Sequence, residues 1–211
     1  MFVQSYTVNP FSENTYVVHD DKKSVVIDPG FYGASERLPA LNYLSENGLS
    51  IDRLLLTHGH IDHIIDCAYW ADTYGMQFEM HEEDLPLIAN ARQQAGLFGV
   101  DMHDPPAPTQ FLKGGDVIEV GRFSWQILEA PGHSPGSICF YDEENGFLIA
   151  GDVLFEGSVG RTDLWEGSMP TLLRSIRTKL LTLPDDTVVY PGHGPTTTIG
   201  HERENNPFLQ D

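Results

Sequence analysis

From Leu54 to His63 the chain reads LLLTHGHIDH, placing three histidines and an aspartate within six residues directly after an apolar run. Neither a helix nor a strand gains stability from crowded imidazoles, so the cluster calls for a chemical reason. Imidazole nitrogens and carboxylate oxygens at such spacing suit zinc, or iron and manganese less selectively. Gly59, between His58 and His60, leaves the backbone free to fold tightly, so that the two rings converge. Asp62 and His63 then open a helix and project from its first turn.

Further candidate ligands recur along the chain in a similar setting. His133 stands in EAPGHSPG, Asp152 in FLIAGDVLF and His193 in VVYPGHGP, each at a strand end beside glycine, where the backbone can bend to aim a side chain at a shared edge. Turn-capping histidines would account for any one of these positions, but not for the repetition. The candidates His58, His60, Asp62, His63, His133, Asp152 and His193 outnumber the three or four protein ligands of one tetrahedral ion. Two divalent cations are therefore expected, with zinc the leading choice and iron or manganese open. Asp152 is the natural bridge, because a carboxylate offers two oxygens and an imidazole one free lone pair. A water shared by two such cations loses its proton near neutral pH, since one zinc already brings it to a pKa of about 7. Positioned by Asp62 and Asp152, the resulting hydroxide would serve as a nucleophile.

Other polar residues receive plainer readings. His19, His81, His103 and His201 lie beside charged residues and read as solvated or as ordinary hydrogen-bonding groups, and EEDL and DEEN read as acidic surface turns. Asp28, in VVIDPG, is either a turn former or an acceptor that orients a ligand. Cys67 and Cys139 sit in apolar surroundings and read as buried, reduced thiols.

The elements that must position these groups are legible in outline. FVQSYTV, NTYVVHD, SVVIDPG and DRLLLTHG read as strands, and ASERLPALNYLSENG as a helix stopped by Gly48. DHIIDCAYWADTYG reads as one helix ending at Gly75, and EEDLPLIANARQQAG as another, with the strand-like MQFEMH between them. Three prolines in DMHDPPAPTQ mark a surface loop between two halves, and 91–110 is the expected flap over the site. Beyond it, DVIEVGRFSWQILEAPGH and GSICFYDEENGFLIAGD read as antiparallel strands. MPTLLRSIRTKLLTLP is an amphipathic helix with Leu172, Leu173, Ile176, Leu180 and Leu183 on one stripe. Strands then helices, twice over, predict two packed sheets with helices outside: an α/β (α+β) four-layer αββα sandwich, in a single domain over 1–211.

Bulk composition narrows the partners. Of 211 residues, 12 are Lys or Arg and 31 are Asp or Glu, for a net charge of -19. Such a surface repels phosphate backbones and anionic lipid, which argues against nucleic acid and membrane partners and against a phosphodiesterase acting on RNA or DNA. No apolar run approaches the roughly 20 residues that span a bilayer. The first residues carry no basic region or small-residue cleavage site, so a cytoplasmic protein is expected.

At THGHIDH, APGHSPG, AGDVLF and YPGHGP the sequence resembles the metallo-β-lactamase superfamily, and within it the short bacterial proteins of the glyoxalase II (hydroxyacylglutathione hydrolase) branch. The resemblance spans essentially the whole chain and implies the αββα fold. It also implies a first metal on His58, His60 and His133, a second on Asp62, His63 and His193, and Asp152 shared between them. Typical β-lactamases lack an aspartate at the position of Asp152, so the likeness is not to an antibiotic-destroying member. The implied substrate is a small molecule, a glutathione thioester of the S-lactoylglutathione type, with Arg161 in the basic position that receives a substrate carboxylate. Two departures accompany the likeness. The branch's C-terminal helical extension has no counterpart here, and Asp163 stands where the branch has a tyrosine. The same superfamily offers alternatives: a sulfur dioxygenase with one iron on His58, His133 and Asp152 acting on glutathione persulfide, or a lactonase or other ester hydrolase.

Overall fold

The computed structural model describes residues 1–210. Its first half opens with an antiparallel meander of β1 (Phe2–Val8), β2 (Glu13–His19) and β3 (Lys23–Ile27). Helix α1 (Ala34–Glu46) crosses to β4 (Ser50–Leu55), which lies parallel to β3. Short helices α2 (Ile61–Ile64) and α3 (Cys67–Tyr74) lead to β5 (Phe78–Met80), and α4 (Leu85–Ala89) and α5 (Ala91–Leu97) lead to the two-residue β6 (Gln110–Phe111). These strands form one sheet in the order β1-β2-β3-β4-β5-β6.

The second half repeats the plan. Strands β7 (Val117–Val120), β8 (Phe123–Glu129), β9 (Ile138–Asp142) and β10 (Phe147–Gly151) run antiparallel in succession. A ribbon of β11 (Leu154–Phe155) and β12 (Ser158–Val159) follows, then α6 (Met169–Ser175), β13 (Val188–Pro191) parallel to β10, β14 (Thr197–Thr198) and α7 (Ile199–Asn205). The second sheet has the order β14-β13-β10-β9-β8-β7.

The central strands β2, β3, β9 and β10 are covered on both faces, which explains why they read as nearly unbroken apolar runs, whereas β7 and β8 alternate buried and exposed residues. Successive side chains on a strand point to opposite faces. Tyr16, Val18, Val25, Ile27 and Leu55 therefore meet Trp125, Ile127, Ile138, Phe140 and Ile149 between the sheets. The alternate residues Val17, Val26 and Leu54 face outward onto Ala40 and Leu44 of α1 and Trp70 of α3. Across the molecule, Cys139, Tyr141, Leu148 and Ala150 pack on Leu172, Ile176 and Leu180. Three apolar layers separate four structural ones, and the αββα sandwich is the observed fold. Both cysteines are buried and free. Among the described residues, no helix is long and apolar enough to cross a membrane.

The helices are more broken than their periodicity predicts. The helix expected from Asp62 to Gly75 is interrupted at Asp66, whose carboxylate pairs with Arg37 and accepts the indole N–H of Trp70 at 2.9 Å. Its amide meanwhile bonds the carbonyl of Pro29. These outside partners hold Asp66 off the helical path, while Gly75 closes α3 in the left-handed region as expected. The next expected helix splits at Asn90 into α4 and α5, preceded by a 3-10 turn at Glu82–Asp84. Helix α6 is capped by Ser168 and widens into a π turn over Ile176–Leu180, where the amide of Leu181 bonds the carbonyl of Ile176. Leu172, Ile176 and Leu180 of the predicted stripe are fully buried, with Leu173 and Leu183 packed at its margin.

Direction within the sheets decides where a site can form. Strands β3, β4 and β5 are mutually parallel, and β8, β10 and β13 share one direction, so each sheet gathers C-terminal strand ends along one edge. The edges are stitched together by the amide of Ile138 on the carbonyl of Thr57 (2.9 Å) and the amide of Asn14 on the carbonyl of Gly192 (2.7 Å).

Candidate metal centre

All seven candidate ligands converge on that seam. The Nε2 atom of His133 lies 3.2 Å from Nε2 of His58 and 2.7 Å from Nδ1 of His60. Beside this triad, Nε2 of His193 is 3.1 Å and Nε2 of His63 is 3.8 Å from Oδ2 of Asp62. Asp152 stands between the two groups, with Oδ1 3.4 Å from Nε2 of His63 and Oδ2 3.4 Å from His133 and 3.5 Å from His193.

Each imidazole except His60 is oriented by a bond on its outward nitrogen. His133 donates from Nδ1 to the carbonyl of Arg161 (2.7 Å), and His193 from Nδ1 to the carbonyls of Phe11 and Ser12 (3.1 and 3.2 Å). Asp28 accepts from Nδ1 of His63 (2.9 Å) and from the amide and hydroxyl of Thr57 (2.7 and 2.6 Å). With its proton committed to Asp28, the Thr57 hydroxyl accepts from Nδ1 of His58 at 3.0 Å. These bonds fix the tautomers and leave the Nε2 lone pairs facing inward. Asp28 is thus an orienting acceptor, although it also turns the chain, with φ of 51° before Pro29.

The loops approach one another closely because glycine leaves room. A Cβ on Gly192 would come within 2.1 Å of Oδ1 of Asp152, and one on Gly160 within 1.9 Å of the Asp152 carbonyl. Gly59 is required for clearance: its φ is not positive, but a Cβ there would lie 2.9 Å from Cβ of Leu87.

The electrostatics divide the cluster. Burial, reinforced by neighbouring imidazoles, holds His58 well below the usual histidine range and brings His60 down to about 3, so both are neutral with free lone pairs. Burial alone would also lower His63 and His193. Asp62 and Asp152 outweigh it, raising His63 well above its ordinary value and His193 to about 9. Burial pushes the two carboxyls up, but the surrounding imidazoles, His63 foremost, bring both below the usual range.

This set fits divalent cations. Inward lone pairs on His58, His60 and His133 oppose one another at hydrogen-bonding distance with no proton assigned between them. The buried Nε2 of His63 and Oδ1 of Asp152 have no hydrogen-bond partner. Buried polar atoms are rarely left bare, and a ring of imidazole nitrogens and carboxylate oxygens is what zinc, iron or manganese binds. Three such groups bring their ligand atoms within 4.8 Å of one another: His58, His60 and His133; Asp28, His58 and His63; and Asp62, His63 and His193. The geometry brings Asp28 close enough to count, and its three hydrogen bonds mark its role as orienting.

A cavity of about 470 Å³ opens above the cluster, with His60, Asp62, His133, Asp152 and His193 on its floor and Phe11, Leu87, Phe98, Phe155 and Trp165 on its walls. Segment 91–110 supplies Phe98 and Gln94 to that wall. Arg161 stands on the rim. Its guanidinium is 60% exposed and holds both oxygens of Asp163 at 2.7 Å, while its carbonyl carries His133.

Some residues differ from their sequence reading. EEDL is not wholly a surface turn, because Asp84 is fully buried; DEEN is likewise anchored by Asp142, which accepts the indole N–H of Trp125 at 2.9 Å. His19 and His81 are buried hydrogen-bonding residues, while His103 and His201 are exposed. Thr57, Asn14 and Asp84 have no role that their local sequence signals. Asn14 donates to the carbonyls of Pro191 and Gly194 and so braces the His193 turn.

Comparison with known proteins agrees with this geometry. The hydroxyacylglutathione hydrolase GloC of Haemophilus influenzae is 40% identical over 212 residues, 99% of this chain and 98% of that one. Among solved structures, TTHA1623 in a di-iron-bound form is 40% identical with a TM-score of 0.87, covering 99% of this chain and 100% of that one. BLEG-1 B3 metallo-beta-lactamase is 34% identical with a TM-score of 0.90 over the full length of both. The family model of the metallo-beta-lactamase superfamily matches residues 8–193, a span that holds every histidine and aspartate of the centre. Motif order, fold and converging ligands lead to one conclusion: the chain belongs to the metallo-beta-lactamase superfamily.

Proposed function

We propose that the protein hydrolyses a glutathione thioester of the S-lactoylglutathione type, as one metallo-hydrolase domain using two divalent cations. His58, His60 and His133 would hold the first, and Asp62, His63 and His193 the second, with Asp152 common to both. The observation that carries this reading is the place of the Asp152 carboxylate, within 3.5 Å of imidazoles from both groups. A hydroxyacylglutathione hydrolase among the full-length relatives supports the choice of thioester. Such cations, when bound, lower the pKa of water towards 7 and polarise a carbonyl.

The chain's own residues supply the remainder. Asp62 and Asp152, held as carboxylates, orient the water for attack. Walls of Phe11, Leu87, Phe98, Phe155 and Trp165 exclude bulk solvent from the reacting carbonyl. Arg161 receives a carboxylate of the thiol half. No side-chain nucleophile is required: both cysteines are buried, and burial raises their thiols above the ordinary range. The thiolate departs without an acid partner. Buried reduced thiols also accord with a cytoplasmic setting.

A second reading is favoured by one geometric fact. His58, His133 and Asp152 alone make a two-imidazole, one-carboxylate set, with separations of 3.2 and 3.4 Å, that suits a single iron of a persulfide dioxygenase. Metal content of protein purified without added ions, measured beside turnover of S-lactoylglutathione, separates the two. Two metals per chain with thioester cleavage are expected. One iron per chain with persulfide-dependent oxygen uptake would overturn the hydrolase.

A further inference from the structure

We propose that Asp84 is a positioning residue whose carboxylate latches the His58–His60 turn to the His133 turn and so sets the spacing of that triad. The proposal rests on the reading of the triad as a metal site. Asp84 lies at the junction of the 3-10 turn and α4, is fully buried, and makes no side-chain bond to the amides of the helix it precedes. A capping aspartate would serve its own helix. Here all three side-chain bonds leave the helix for the two ligand turns. Oδ2 accepts the amide of Gly59, between His58 and His60, at 2.9 Å, and the hydroxyl of Ser134, next to His133, at 2.8 Å. Oδ1 accepts the amide of Gly136 at 2.7 Å. One carboxylate thus joins turns 75 residues apart in the chain, measured from His58 to His133.

Packing makes the latch specific. A Cβ on Gly136 would sit 2.8 Å from Cγ of Asp84, and one on Gly59 would meet Leu87 of α4 at 2.9 Å and the Asp84 carbonyl at 3.2 Å. Both turns are therefore pressed against the segment that carries Asp84. Ser137 completes the arrangement by accepting the Ser134 amide at 3.1 Å. A buried carboxylate is costly unless fully hydrogen-bonded, and here every donor comes from a loop that carries a histidine of the triad. Leu87 also lines the cavity, so the latch joins the substrate wall to the triad. The Asp62, His63 and His193 group is braced differently, by Asp28 and by the Asn14 bonds to the His193 turn. An asymmetric effect follows: Asp84 acts on one metal and not on the other.

The test measures zinc and cobalt affinity by chelator competition, with the visible spectrum of the cobalt form, in wild type, Asp84→Asn, Asp84→Ala and Ser134→Ala. Asp84→Asn keeps the shape but must turn an amide N–H₂ towards a donor. It is expected to weaken one metal equivalent about 10- to 100-fold and alter its cobalt band, leaving the other within about twofold. Ser134→Ala, which removes one donor of three, should give a smaller loss at the same equivalent. If Asp84→Ala does not fold, the Asn and Ser134 variants decide the matter. Unchanged affinities with a lower melting temperature of the metal-free protein would make Asp84 merely structural and overturn the proposal. Equal weakening of both equivalents would overturn it as well. Wild-type protein that binds no metal tightly would refute the metal reading itself, and the latch with it.

Discussion

Loading the metal-free protein with zinc at a series of pH values exposes the division between the two ligand groups. A protonated imidazole cannot ligate, so each histidine that carries a proton must lose it as metal enters. His58 and His60 are held neutral, His60 at about 3, and hand over no proton at neutral pH. His193 titrates at about 9, because its bonds to Asp152 and Asp62 outweigh its burial, and His63 is raised in the same way. The sign is fixed: a raised pKa keeps the proton on below that pH, so affinity at the second group climbs with pH until about 9. At pH 7, two pH units below that value, displacing the His193 proton alone costs a factor of about 100 in apparent affinity. The second equivalent should therefore tighten at least tenfold per pH unit between pH 6 and 8, and the first should be nearly flat above pH 7. Calorimetry in two buffers of different ionisation enthalpy counts the protons: at least one released with the second equivalent, and none from His58 or His60 with the first. Two equivalents that bind with the same pH slope, or a second that releases no proton, would refute the assignment of charge across the centre.

Steady-state kinetics of Arg161→Ala should show KM for S-lactoylglutathione raised more than kcat is lowered. Asp163→Asn, by freeing the guanidinium, should lower that KM about two- to fivefold, because an exposed ion pair holds its partner only weakly; an unchanged KM in both variants would remove the pair from substrate recognition. Asp28→Asn loosens His63 directly and His58 through Thr57, and chelator competition should record a loss of about 10- to 100-fold at the second metal equivalent with a smaller loss at the first. Ile176→Ala, at a fully buried position against the second sheet, should cost about 2–5 kcal/mol in denaturant unfolding and leave kcat per bound metal unchanged.

How much of this was legible in the sequence follows from the range of the interactions. Ligands announce themselves locally: His58, His60, His133, Asp152 and His193 each follow a strand and adjoin a glycine, a pattern that needs no knowledge of the partner loops. The central strands β2, β3, β9 and β10 are buried on both faces, so their apolar runs were readable, and with them the layer order. Helix breaks were not, because Asp66 leaves the helical path for Arg37, Trp70 and Pro29, none of which its own stretch foretells. Asp84 was hidden for the same reason. In EEDL the neighbouring Glu82 and Glu83 are exposed, and only the arrival of Gly59, Ser134 and Gly136 turns the third acid into a buried acceptor.

The seam between the sheets has a mechanical consequence for the centre. His58, His60 and His63 follow β4 of one sheet, whereas Asp152 and His193 follow β10 and β13 of the other, so the ligand spacing is set by how the sheets are joined. The polar bonds that make that join near the site include the Ile138 amide to Thr57, the Asn14 contacts to Gly192, Pro191 and Gly194, the hydroxyl of Tyr16 on the carbonyl of Pro191 at 2.6 Å, His193 to the carbonyls of Phe11 and Ser12, and the Asp84 latch. Apolar packing between the sheets resists compression but has no preferred direction, so it cannot by itself set register to the few tenths of an ångström that a metal ligand requires. Directional bonds can. The polar residues of β2 therefore do for the second ligand group what Asp84 does for the first, which is why buried polar side chains crowd this edge of an otherwise apolar core.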